Sequence, residues 1–139
     1  MAGYTNNYQL HQWEPGDNFL REDFNHDFAK IDTALGGKSE IVCGSYVGDG
    51  TEDRLISLGF TPKAVLVMGE DGATRMTYQL YGGLALSGAP AFLNLGSDGK
   101  FTVLAVAEGG FLVTQKTASA AYAICTNTNR HEYRYLALK

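Results

Sequence analysis

The chain has 139 residues, 45% of them hydrophobic and 19% charged, and its 11 Lys+Arg against 15 Asp+Glu leave a formal net charge of -4. A compact chain of this length buries roughly 68–70% of its unfolded surface, which sustains one core without metals or disulfides and excludes a disordered or collagen-like polypeptide. The acidic balance lacks the cationic excess that binds a phosphate backbone, so no nucleic-acid partner is expected. No apolar run approaches the ~20 residues of a membrane helix, since even Ala64–Met68 stops at Gly69, and no membrane insertion is expected. The start, Met1-Ala2-Gly3-Tyr4-Thr5-Asn6-Asn7, has neither the basic residues nor the apolar centre of a signal peptide, which predicts synthesis in a cytoplasm without export by that route.

Texture changes near Gly36-Gly37. Residues 1–38 carry six acids and three bases, and residues 39–139 nine acids and eight bases, so the charge is -3 before the boundary and -1 after it. Two parts are expected, an N-terminal arm and oligomerisation helix over 1–38 and a β-sandwich head over 39–139. Tyr4–Trp13 reads as an extended arm, after which Glu14-Pro15-Gly16 introduces a helix with Asp17 as its cap. Phe24, Phe28, Ile31 and Leu35 follow at spacings of 4, 3 and 4, one apolar stripe on a helix of about five turns. Such a short helix is marginal alone in water and must bury its stripe, either on its own β domain or against other copies. The 4-3-4 spacing is that of a coiled-coil seam, and Phe in a seam favours three or more helices, so a homotrimer is the expected assembly.

Beyond Gly37 the helical period gives way to short Val-, Ile-, Tyr-, Phe- and Thr-rich segments between Gly and Asp turns every 8–12 residues or so, the pattern of an antiparallel sandwich, with a jelly-roll variant open. Strands are expected near Ile41–Val47, Arg54–Gly59, Lys63–Met68, Arg75–Tyr81, Phe92–Leu95, Phe101–Ala107, Phe111–Thr114, Ala120–Thr126 and Glu132–Leu138. Gly48-Asp49-Gly50 and Ser97-Asp98-Gly99 supply turn chemistry between them. Ala64–Met68, apolar at every position, predicts a central strand covered on both faces. Tyr133, Tyr135 and Ala137 fall on one face of the last strand, with Glu132 and Arg134 on the other.

Reactive chemistry is sparse. Gly48-Asp49-Gly50-Thr51-Glu52-Asp53 begins like a dinucleotide loop but has Asp at its last position and no following helix, so it reads as a hairpin turn. Gly96-Ser97-Asp98-Gly99 is one residue short of a nucleophile elbow. His11, His26 and His131 are scattered and read as surface side chains, and Cys43 and Cys125 lie outside any CxxC or Cys/His cluster and read as buried free thiols. Glu52-Asp53 and Glu70-Asp71 read as solvated turn acids, and the calcium-loop pattern is missing. The expectation is a protein without enzymatic activity, with no catalytic residues, metal or cofactor.

Surface recognition remains. Asn127-Thr128-Asn129-Arg130-His131 forms a polar loop between apolar strands, and Tyr78, Tyr81 and Tyr122 place aromatic rings near other loops. Saccharides offer apolar C–H faces and many hydroxyls, so Tyr rings beside Asn127, Asn129, Arg130 and His131 form a candidate ligand surface for a host-surface glycan.

The run Tyr8-Gln9-Leu10-His11-Gln12-Trp13-Glu14, then Asp17, Asp23-Phe24-Asn25 and Asp27-Phe28-Ala29-Lys30-Ile31-Asp32-Thr33-Ala34-Leu35, resembles the N-terminal segment of small virion structural proteins. These are tail-fibre or tail-tip proteins of phages and prophages of Gram-positive bacteria. Gly44–Gly50, Leu58–Val67 and Tyr133–Ala137 resemble a β module of the same proteins. The resemblance implies a non-enzymatic, trimeric particle protein made in the bacterial cytoplasm, with β domains facing outward and tail, baseplate or capsid proteins as partners. A receptor-binding fibre normally has a longer shaft, which points to a short spike, a decoration protein or a fibre head. A lectin-like module for host-surface glycan is the alternative.

Overall fold

The computed structural model describes residues 3–139; Met1 and Ala2, the first residues of the polar N-terminal stretch, lie outside the described residues. The chain divides after Ser39 into two compact units.

In the first unit, β1 (Gly3–Tyr4) pairs antiparallel with β2 (His11–Gln12), and the connection folds back through hydrogen bonds from Thr5 N to Leu10 O (2.8 Å) and Gln9 N to Thr5 O (3.0 Å). The helix α1 runs from Arg21 to Gly36, about four and a half turns. It begins later than Asp17: that carboxylate instead accepts the Glu14 N–H at 2.9 Å and closes the Glu14–Asp17 turn, while Leu20 takes the cap position with no side-chain cap. Glu22 and Asp23 sit in the first turn, where the helix dipole favours negative charge.

The arm is not merely extended; it docks on the helix through rings. Trp13 lies 5.5 Å from Phe24 in a stacked pair and 4.7 Å from Phe19, and Phe24 meets Phe28 edge-on at 5.2 Å. Only part of the predicted stripe therefore stays open. Phe24 and Ile31 are half-buried, whereas Phe28 is 58% and Leu35 66% exposed.

The second unit is mainly β. The strands β3 (Ile41–Val47), β4 (Arg54–Ser57), β5 (Ala64–Gly69), β6 (Arg75–Met76), β7 (Gln79–Leu80) and β8 (Gly83–Leu86) make its first half. The second half holds β9 (Ala91–Asn94), β10 (Lys100–Ala107), β11 (Gly110–Val113), β12 (Gln115–Thr117), β13 (Ala123–Cys125) and β14 (Glu132–Leu138). Two four-stranded antiparallel sheets, β3-β14-β5-β8 and β4-β11-β10-β9, form the sandwich. Its core takes Tyr46, Val65, Val67, Ala85, Tyr133 and Ala137 from the first and Ile56, Leu104, Phe111 and Val113 from the second. Period-2 alternation sends these residues inward.

A third sheet, β12-β13-β7-β6, contains the parallel pair β13–β7 and gathers around a smaller core of Leu93, Val103 and Ile124. A bulge between Thr102 and Leu104 serves both cores: the β9–β10 register skips Val103, so Val103 and Leu104 are both buried. The segment Arg75–Tyr81 is a tight β6–β7 hairpin and not one strand, because Thr77 adopts a positive φ of 48°. The expectation for β5 also needs correction. It is central and its inner residues are fully buried, but Leu66 and Met68 on its other face are only partly covered.

Cys43 and Cys125 are free thiols. Cys125 is buried, but Cys43 stands exposed on the outer face of β3, against the expectation of two buried thiols. The two strands do not pair, since β3 is hydrogen-bonded to β14.

Candidate functional site

The polar residues expected on one ligand surface separate into three places. The first is a structural knot. Asn127 is fully buried, so it is corrected from the ligand surface to the interior. Its amide nitrogen donates to Asp49 Oδ1 (2.6 Å) and Thr51 O (2.9 Å), and its Oδ1 accepts from Asp49 N and Arg54 Nη1, both at 3.2 Å. The Asp49 carboxylate also accepts the Thr51 hydroxyl (2.6 Å) and backbone N–H (3.0 Å). With these Thr51 donors foremost, helped by Asn127 and Arg54, its pKa falls to about 2. The Gly48–Thr51 turn is thus held to the 127–131 loop, and Gly48 passes so close to Thr128 that a Cβ would strike the Thr128 carbonyl oxygen. Tyr133 accepts the Thr128 N–H at 3.1 Å and donates to the Cys125 carbonyl, which fixes the other side of the loop. Burial pushes the Tyr46 and Tyr133 phenols above their ordinary range, so both stay protonated donors at neutral pH.

The second place is a groove of about 730 Å³ beside that loop. Tyr81, Arg130 and His131, three of the predicted ligand residues, line it. Opposite them stand Glu70 and Asp71 from the turn after β5, with Glu132 and Arg134 from the start of β14 and Met76 from β6. Arg130 holds φ 65°, a left-handed conformation kept by hydrogen bonds from its N–H to Gly48 O (2.9 Å) and from His131 N to Thr128 O (3.1 Å). The Tyr81 hydroxyl bonds Gln79 Oε1 at 2.5 Å, which orients the ring. A groove with an aromatic wall, guanidinium donors and carboxylate acceptors matches a polyhydroxylated ligand. Sequence reading passed over Glu70 and Asp71 as solvated acids. Their approach to the 130–134 segment comes from the β5–β14 ladder, in which Tyr133 pairs with Gly69, and no local pattern reveals that register.

Tyr78 and Tyr122 are elsewhere, on the third sheet. Their rings meet edge-on at 5.2 Å, and the Arg75 guanidinium lies 5.6 Å above Tyr122. Asn129 is exposed at the loop tip, next to Gly50.

The third place is in the helix unit, where His11 is corrected from surface residue to tether. Its N–H donates to Asp27 Oδ2 at 2.6 Å and its Nδ1 lies 3.0 Å from Asp27 Oδ1. Lys30 Nζ bonds Gln9 O at 2.5 Å and Asp27 Oδ1 at 3.3 Å. Burial alone would push the Asp27 carboxyl up, but the His11 backbone and ring donors together with Lys30 hold it below the ordinary carboxylate value. A smaller cleft of about 220 Å³ runs between this tether and the rings of Trp13, Phe24 and Phe28.

Among the described residues no group of three or more His, Cys, Asp or Glu side chains could hold a metal ion, and no helix is long and apolar enough to cross a membrane. Compared with known proteins, the chain matches no family model, no curated protein and no solved structure.

Proposed function

We propose that this chain is a structural component of a phage-type virion, a short tail-fibre, spike or decoration protein without enzymatic activity. Copies assemble through the helix unit, with a homotrimer as the fitting state, and the β units serve attachment. Tail, baseplate or capsid proteins are its partners in the particle.

The observation that carries this reading is the open half of the helix stripe. Phe28 and Leu35, seven residues apart, stay 58% and 66% exposed after the arm has covered Phe24, and Phe19 and Leu20 add further exposed apolar surface to the same unit. Large apolar groups left in water at heptad spacing call for a partner helix. The N-terminal likeness to virion proteins supplies the class of particle. Three weak attachment sites held in one assembly gain avidity without new contacts. Mass spectrometry of particles purified after prophage induction tests this: the chain is expected at structural stoichiometry in the particles. Its recovery only from the soluble cell fraction would contradict the proposal.

The groove beside the 127–131 loop supports a second reading, a lectin-like module for host-surface glycan. Its aromatic, guanidinium and carboxylate lining carries that reading. A ligand bound by the native state alone raises stability with its concentration. Teichoic-acid sugars, peptidoglycan fragments and hexoses would be screened by thermal shift, with Tyr81→Ala and Arg130→Ala expected to abolish any shift found. A flat response from the wild-type protein would remove this reading.

A further inference from the structure

The outer face of the sheet β3-β14-β5-β8 is aliphatic across all four strands. The strand register aligns Cys43, Leu136, Leu66 and Leu84 in one row across the sheet. Ile41 and Leu86 occupy the two edges of the row beside it. Ile41 is 61% and Leu84 58% exposed, Leu86 and Cys43 are exposed, and Leu66 and Leu136 are half-covered. The opposite face of the same sheet already fills the sandwich core.

We propose that this outer face is a self-association surface, on which the same sheet face of a second copy packs. The inference concerns a surface separate from the helix stripe and goes beyond the assembly proposed above. Two arguments commit the face to a copy of this chain. The first is area. Strands ~4.8 Å apart, with same-face residues ~6.8 Å apart along each, give three rows on four strands a footprint of roughly 19 by 20 Å, on the order of 400 Å². That is the size of patch that marks an interaction site, and two footprints, before side-chain relief is added, approach the ~1,000 Å² total of a specific interface. The second is shape and chemistry. The row of thiol and aliphatic groups offers no hydrogen-bond pattern to select a chemically different partner, whereas a second pleated sheet has the same row spacing and packs face to face, as the chain's own two sheets do. Arg134 and Glu132 follow on β14 at the end of the patch, both exposed, and supply the polar rim such an interface needs.

Cys43 is a built-in probe, because the other thiol, Cys125, is buried. The rate of Cys43 modification by a maleimide would be measured on the full chain from sub-micromolar to high micromolar concentration, with sedimentation mass in parallel. The proposal predicts that the rate falls roughly tenfold as mass rises, because only the dissociated population reacts. Ile41→Lys with Leu84→Lys should keep the high rate and low mass at every concentration, and both positions are exposed enough for the fold to survive, as near-ultraviolet circular dichroism would verify. Should that pair misfold, Leu84→Ser alone should weaken the protection. Phe28→Asp separates the two surfaces: it disturbs the helix stripe and should leave the concentration dependence of Cys43 in place. Mass that rises with no change in the Cys43 rate, or a rate equally fast or equally slow at all concentrations, would overturn the proposal.

Discussion

At the scale of single residues, two buried polar groups organise their surroundings. Asn127 joins the Gly48–Thr51 turn to the 127–131 loop through at least four hydrogen-bonded partners with no exposure to water. Truncation would leave several of these groups unpaired in the interior, so Asn127→Ala should cost about 2–4 kcal/mol in urea unfolding. Asp27 does the equivalent work in the helix unit, where it receives His11 and Lys30. Asp27 and Asp49 both have depressed native pKa values, so each contributes stability above the unfolded carboxyl value of ~3.9 and loses it as pH falls through its native value. For Asp49 that window closes at about pH 2. For the arm there is a direct reporter, because Trp13 is the only tryptophan and stacks on Phe24 and His11. Its emission should shift to the red below pH 4 or so as Asp27 protonates, and Asp27→Asn should give part of that shift at neutral pH. An emission maximum unchanged by both acid and substitution would show that the carboxylate does not hold the arm.

At the scale of elements, β3 and β14 were legible to the residue, because strict alternation and flanking turns mark their ends without help from partners. The helix was legible from its 4-3-4 spacing, but its start was not. Asp17 has a good capping side chain, and that carboxylate is drawn to the Glu14 N–H while Phe19 packs on Trp13 and Phe24. Which part of the stripe stays open was equally hidden, since it depends on rings ten or more positions away along the chain. In the β unit, β8 and β12 escaped notice as segments too short or too polar to show a period. The groove was half visible: Tyr81, Arg130 and His131 were named from the sequence, and their acidic neighbours came only with the β5–β14 pairing. Gly48 gives an element-scale test. Its positions in strand and turn tolerate other residues by φ, but the Thr128 carbonyl leaves no room for a methyl. Gly48→Ala should therefore destabilise by about 1–3 kcal/mol through displacement of the loop, whereas the same change at Gly36, with open space around it, should be neutral or stabilising in a helix.

At the scale of the whole molecule, the features that ask for an explanation are apolar surfaces and not reactive groups. The polar side chains of the interior are engaged in tethers and knots, while Phe28 and Leu35 on one unit, and Ile41, Leu84 and Leu86 on the other, remain in water. A protein built in this way gains function by gathering copies, and its chemistry of attachment is confined to a groove that several copies present together. The central claim is that the helix stripe drives that gathering. Light scattering coupled to size exclusion at low micromolar concentration would compare the full chain with a Phe28→Asp/Leu35→Asp variant, in which exposed positions carry the change and the Trp13–Phe24 contact is left intact. The account predicts a wild-type mass near three times 15.0 kDa and a variant at 15.0 kDa with unchanged far-ultraviolet circular dichroism. A wild-type monomer, or a variant that keeps the wild-type mass, would contradict it.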